Sequence, residues 1–192
     1  MYYKYLTLEN YPKWRKIYKY TSNIDNMTHR IELEYGEKFK LDEKDKKIIE
    51  QLQLNARQTI SEIAKKARLP RDVVKYRIKR LEQNKLIRQY HAFVNPALLG
   101  YPLYVYVGFA LLNIKPQEEE LFINFLKSHR QIIYVAKNSG KWDFSIGVCA
   151  KDYADFDSIL KEIRAKFLKV IKDFEILPVI QEYKYDWMVD LI

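Results

Sequence analysis

The chain has 192 residues, enough for one large domain or two small ones, and its 48% hydrophobic content excludes global disorder. The formal net charge of +9 is uneven: residues 1–40 carry +3, residues 41–95 carry +7 and residues 96–192 carry −1. The cationic field thus belongs to the middle of the chain, the footprint expected of a module that binds a polyanion.

The first segment, 1–40, holds seven of the sixteen tyrosines and carries no motif; it reads as an N-terminal extension, and Met27 is a second candidate start. From Leu41 the pattern turns helical. Asp42, with Asp45 three residues on, is an N-cap signal for a first helix whose buried stripe is Ile48, Ile49 and Leu52. Thr59 followed by Glu62 is a capping-box signal for a second helix with Ile60, Ile63, Ala64 and Ala67 inward. Pro70 suits the first turn of a third helix, predicted over 71–82, because its missing N–H would be an orphan there anyway.

Val74, Ile78 and Leu81 bury one face of that third helix, which leaves Arg71, Asp72, Lys75, Tyr76 and Lys79 facing outward. Three short helices with a basic third one make a helix-turn-helix, expected over 41–90. Arg71 and Lys75 lie near the N-terminus of the third helix, the end that reaches base edges in the major groove. Lys79 and Arg80 are placed for phosphate, and Tyr76 for a phosphate or sugar. Arg77 adjoins the buried face and is expected to pair with an acid on the first helix, such as Glu50. The amides around Thr59 and Ser61, at the start of the second helix, suit a phosphate as well.

Leu86 to Phe93 reads as extended, the wing of a winged variant or a strand leading onward, and 91–102 as a linker strand. The uncharged run from Gln89 to Ile114 is long enough to cross a bilayer. Asn95-Pro96 and Gly100-Tyr101-Pro102 break it, which argues against a membrane span.

The last half, 103–192, alternates between strand and helix patterns. Tyr104–Ile114 reads as a strand and Pro116–His129 as a helix with Leu121, Phe122, Phe125 and Leu126 inside. Gln131–Ala136 and Trp142–Cys149 read as strands joined at Asn138-Ser139-Gly140. Asp152 caps a helix with Tyr153, Phe156, Ile159, Leu160, Ile163 and Phe167 inward, and Val170–Trp187 ends with one or two strands. The order βαββαβ is a ferredoxin-like unit, so the fold class is α+β. Cys149, the single cysteine, sits in an apolar run and reads as a buried thiol.

The residues Leu41-Asp42, Asp45, Ile48-Ile49, Leu54-Asn55-Ala56-Arg57, Glu62-Ile63-Ala64-Lys65, Val74, Arg77-Ile78, Arg80-Leu81-Glu82 and Leu86-Ile87 resemble the DNA-binding half of Lrp/AsnC (feast/famine) regulators. The ferredoxin-like half resembles the family's small-molecule-sensing RAM domain, and Gly140-Lys141-Trp142-Asp143 is similar to its G-x-aromatic-D loop, with Trp where Tyr or Phe is usual. Two departures stand out. The family has glycine before the recognition helix and again just after it, where this chain has Arg68 and Lys85. Arg68 adds a cation useful for DNA, and Asn84 is expected to supply the left-handed turn at the second place.

The resemblance implies a transcriptional regulator in the cytoplasm, associated with the nucleoid. Its partners would be double-stranded DNA and a second copy in a homodimer that often assembles further. The sheet face carrying Tyr104 and Tyr106 would be the subunit interface, and residues 1–40 an arm packed on the partner, with a minor-groove contact or a poorly ordered tail as open alternatives. An amino acid or other small effector would bind near Ser139, Gly140, Trp142 and Asp143, the last as a carboxylate for an ammonium group. The family's last strand often offers a threonine near the ligand, which Glu175–Ile180 lacks.

Catalytic and cofactor-bearing constellations are not evident. His29, His91 and His129 fall in different segments without metal spacing, and five glycines leave no phosphate-cradling loop. Two rival readings remain. Sirohaem decarboxylases resemble this family in both domains, and the concentration of +7 in residues 41–95 argues against them. The other is a small-molecule-binding protein whose helix-turn-helix serves only assembly.

Overall fold

A computed structural model describes residues 38–185 and 188–192. The arm expected over residues 1–40 therefore lies almost wholly outside the described residues. The three helices of the basic module are α1 (Glu43–Leu54), α2 (Ile60–Ala67) and α3 (Arg71–Gln83).

α1 starts where the Asp42 carboxylate accepts the amides of Lys44 and Asp45, each at 2.9 Å, while the Asp45 carboxylate accepts the Asp42 amide at 3.2 Å. α2 starts with the reciprocal Thr59–Glu62 box, the Glu62 amide reaching Thr59 Oγ1 at 3.2 Å. These caps satisfy amides that have no partner within their helix. Pro70 is the N-cap of α3 rather than a residue inside its first turn. Ile48, Ile63, Ala64, Ala67, Val74, Ile78 and Leu81 are buried between the three helices, as their spacing predicts.

The expected linker strand at 91–102 is not formed. Asn95 Oδ1 accepts the Ala97 amide and starts a short 3-10 helix, Pro96–Leu99, which closes on Gly100 in the left-handed conformation (φ 88°). Proline at positions 96 and 102 removes two amides that a strand would need.

The second half contains β1 (Leu103–Leu111), α4 (Pro116–Ser128), β2 (Ile132–Lys137), β3 (Phe144–Ala150), α5 (Tyr153–Lys166) and β4 (Ile171–Pro178). The sheet order is β2-β3-β1-β4 with antiparallel neighbours throughout, the ferredoxin-like arrangement. Strand alternation sends Val105, Val107, Phe109, Phe144, Ile146 and Val148 toward the two helices, where Phe122, Leu126, Phe156, Ile159, Leu160 and Ile163 complete the core. The other face carries Tyr104, Tyr106 and Tyr134, with centroids 5.0 and 6.2 Å apart along the row.

Two residues expected inside are outside. Leu121 is 64% exposed because the α4 stripe centres on Phe122 and Leu126, which leaves Leu121 at its edge. Tyr153 is 69% exposed because it opens α5 a turn before the stripe begins at Phe156.

Beyond β4 no further strand occurs among the described residues. The Val179 amide donates to Tyr104 O at 2.9 Å, and the 3-10 turn Val189–Leu191 packs against α1, with the Met188 amide donating to Gln53 Oε1 at 3.0 Å. On the way the Tyr185 ring meets Phe93 of the connecting segment at 5.1 Å.

Candidate nucleic-acid interface and effector loop

α3 is amphipathic in a specific sense: its apolar stripe is used up inside, so its other residues must face elsewhere. Arg71, Asp72, Lys75, Tyr76 and Lys79 are all exposed, Tyr76 by 68%. Arg71, Lys75 and Lys79 recur every four residues and so form a row of cations along one side of the helix. Asp72 lies in the first turn, where the helix dipole favours an acid.

The remaining cations of α3 are turned inward. Arg77 Nη1 donates to Asp42 Oδ2 at 2.7 Å and to Asp45 Oδ1 at 2.8 Å, so its partners sit at the start of α1 and are not Glu50 in the middle of it. Arg80 Nη2 donates to Asp45 Oδ2 at 2.5 Å. Arg80, expected at phosphate, is thus bonded to Asp45 in this structure. Asp45 is fully buried, a buried carboxylate needs cationic and hydrogen-bonding partners, and Arg80 lies one turn beyond Arg77 on the same flank. The two arginines raise no outward charge; they fasten α3 to α1.

At the start of α2 the Thr59 donors are taken. The Thr59 amide and hydroxyl both donate to Glu62 Oε2, at 2.7 and 2.9 Å, and these bonds hold the Glu62 carboxyl below its usual range. A carboxylate therefore stands where a phosphate was expected to meet Thr59, while Ser61 stays exposed. Arg68 is exposed in the turn between α2 and α3, in the left-handed conformation (φ 54°). After α3 the left-handed residue is Lys85 (φ 58°), not Asn84, whose φ is −87° and whose side-chain amide donates to Arg80 O. Nothing in the sequence pattern around Lys85 marks it as a left-handed residue. The signal available was its position, where the resembling family has glycine.

The loop between β2 and β3 brings the expected effector residues against β1 and β4. Ser139, Gly140 and Asp143 are exposed and Trp142 is half-buried. The Trp142 ring lies over Gly108, where a Cβ would come within 2.8 Å of its Cγ, so glycine is required at that point of β1. Its Nε1 donates to Glu175 Oε2 on β4 at 3.0 Å, and Lys141 Nζ sits 4.4 Å from the ring centroid.

Asp143 is a clamp on β1. Its amide donates to Phe109 O at 2.9 Å, and its Oδ2 accepts the Leu111 amide at 2.7 Å, next to the register shift between Ala110 and Leu111. Glu175, which no motif singled out, is thus the β4 residue tied to this loop. Burial pushes the Cys149 thiol up, as for an inert core cysteine. No group of His, Cys, Asp and Glu able to hold a metal occurs among the described residues.

Residues 41–88 match the family of winged helix-turn-helix DNA-binding domains, and residues 107–189 match the Lrp/AsnC ligand binding domain. The HTH-type transcriptional regulator Ptr1 of Methanocaldococcus jannaschii is 31% identical over 131 residues, 68% of this chain and 84% of that protein. The HTH-type transcriptional regulator FL11 of Pyrococcus furiosus is 31% identical over 120 residues, 62% of this chain and 78% of that protein. An AsnC family transcriptional regulator from Agrobacterium tumefaciens shares the fold with a TM-score of 0.72 at 23% identity, over 79% of this chain and 99% of that one. A transcriptional regulator from Neisseria meningitidis, solved in complex with L-Met, does so with a TM-score of 0.72 at 22% identity, over 80% of this chain and 100% of that one.

Proposed function

Because the chain belongs to the Lrp/AsnC family of transcriptional regulators, we propose that α3 reads operator DNA with its outward row Arg71, Lys75 and Lys79. The chain is a DNA-binding regulator of transcription, built from a winged helix-turn-helix and a ligand-binding domain. Arg71 and Lys75 reach base edges from the first turns of α3, where an arginine can pair bidentately with guanine. Lys79, Arg68 and the exposed start of α2 around Ser61 meet phosphate, and Tyr76 packs on the backbone. The observation that carries this reading is the division of labour on α3: two cations are locked to Asp45 and the others are directed outward.

The working unit is a homodimer. Supporting this is the tyrosine row on the sheet face away from the helices, where Tyr104, Tyr106 and Tyr134 present aromatic surface suited to an interface. Two copies of α3 would then enter successive major grooves, about 34–36 Å apart. The ligand domain takes a small effector of the amino-acid type at the loop Ser139–Asp143. That Asp143 already holds the Leu111 amide leaves its second oxygen as the ammonium acceptor. The regulator acts in the cytoplasm at the nucleoid; no helix among the described residues is long and apolar enough to cross a membrane. The reading assigns no catalytic residue.

The test is selection of bound genomic fragments, followed by titration of a retained duplex at several salt concentrations. Neutralising roughly six to ten phosphates should lower affinity about 10³–10⁵-fold between 50 and 200 mM salt. Lys75→Ala should relax sequence preference, and Lys79→Ala should weaken all sequences alike. Binding that ignores salt, or a Lys75→Ala protein with unaltered preference, would count against α3 as the reader.

A further inference from the structure

Both helices that build the reader turn end in the same way. At the end of α2 the Leu69 amide donates to Ala64 O at 3.0 Å and the Arg68 amide to Lys65 O at 3.3 Å. At the end of α3 the Leu86 amide donates to Leu81 O at 3.0 Å and the Lys85 amide to Glu82 O at 2.9 Å. This pair of closing bonds puts one residue just past each helix into the left-handed region, and glycine is its usual occupant because it has no Cβ to clash. Here the occupants are Arg68 (φ 54°) and Lys85 (φ 58°), the non-glycine residues at positive φ among those described. Both are exposed, both are cations, and they stand at the two ends of α3.

Attraction to the carbonyl ends of the helices does not account for the pair. α2 already carries Lys65 and Lys66 in its last turn and α3 carries Arg80, all in ordinary helical backbone. A cation there needs no strained residue. Geometry offers a better reason. α3 has 13 residues and so runs about 20 Å, whereas the major groove is about 12 Å wide. A helix longer than the groove is wide is not contained in it, so Arg68 before α3 and Lys85 after it can meet the phosphate walls while Arg71 and Lys75 within it reach the bases.

We propose that Arg68 and Lys85 form a phosphate clamp, one at each end of the recognition helix, held in strained turns at the expense of folding stability. The clamp rests on the assignment of α3 as the DNA reader and adds Lys85, with a reason for both residues.

The experiment compares Arg68→Gly, Lys85→Gly, the double glycine variant, Arg68→Gln and Lys85→Gln in the full chain. Thermal midpoints are measured, together with affinity against salt on a duplex that the wild-type protein retains. Each glycine variant should melt higher than wild type and, with two copies in the homodimer, show a slope of log K against log salt shallower by about 2, the double variant by about 4. The glutamine variants should lose the same slope without the gain in melting temperature. Glycine variants that keep the wild-type slope overturn the clamp, as do glycine variants that melt lower. A wild-type protein without salt-dependent DNA binding overturns the α3 assignment and the clamp together, whereas unchanged slopes against a binding wild type overturn the clamp alone.

Discussion

Asp45 is the residue on which the reader module depends most. It is fully buried, and it receives the Asp42 amide and the guanidinium groups of Arg77 and Arg80. Removing one member of such a buried cluster leaves the others desolvated and uncompensated. Asp45→Ala should therefore destabilise the protein by about 3–5 kcal/mol in urea denaturation. Glu50→Ala, one turn further along and exposed, should stay within about 0.5 kcal/mol. Equal losses from the two would mean that the cluster contributes nothing special. The cluster was half legible. Arg77 adjoins the apolar stripe, so its pairing with α1 was readable from spacing. Arg80 was not, because a cation facing phosphate and one facing a buried carboxylate look alike in sequence, and only the approach of α1 decides between them.

At the level of elements, helix starts were written in the chain and helix ends were not. Asp42, Thr59 and Asp152 are oxygen-bearing caps with an acid three residues on, and each begins a helix where expected. The ends of α2 and α3 lack the glycine that would announce them, and the left-handed residue proved to be Lys85 where Asn84 was the chemically easier candidate. The strand expected near 91–102 failed for a related reason: Asn95-Pro96 is a helix-start signal on a scale too short to show periodicity.

The caps also set how the protein responds to acid. The Asp42 carboxyl is held at about 2, against 3.8, by the Asp45 amide first and then by Arg77. The Thr59 amide and hydroxyl depress Glu62, and the Lys151 amide depresses Asp155, in the same direction. A folded-state pKa below the unfolded one means that the stabilisation is complete above the unfolded value and is lost as pH falls through the folded value. For Asp42 the window runs from 3.8 down to about 2. The melting-temperature gap between wild type and Asp42→Asn should thus be full above pH 3.8 and close toward pH 2. A gap independent of pH across that window would show that the charge of Asp42 does not contribute.

At the scale of the whole chain, the surprise is the return of the C-terminal segment. The alternation that marks β1, β3 and β4 fades after Pro178, and a second strand there was a reasonable expectation. Long-range docking has no periodic signature, so the sequence was silent about the destination. The tail crosses beside the connecting segment, where Tyr185 meets Phe93, and ends on α1 through the Met188 amide and the turn Val189–Leu191. α1 is also the helix to which Asp45 fastens α3, so the tail holds the reader to the sheet through one intermediate helix. Removing residues 180–192 should leave the core between the sheet and its two helices intact, because β4 ends at Pro178 and, among the described residues, no buried core residue lies beyond it. The connecting segment 86–102 should then be cut several-fold faster in limited proteolysis, since fewer contacts oppose its local opening. Met188→Pro deletes the amide that reaches Gln53 and should produce part of the same increase. If both variants are cleaved at the wild-type rate, the tail is not a tether, and the orientation of α3 relative to the sheet must be set by the connecting segment alone.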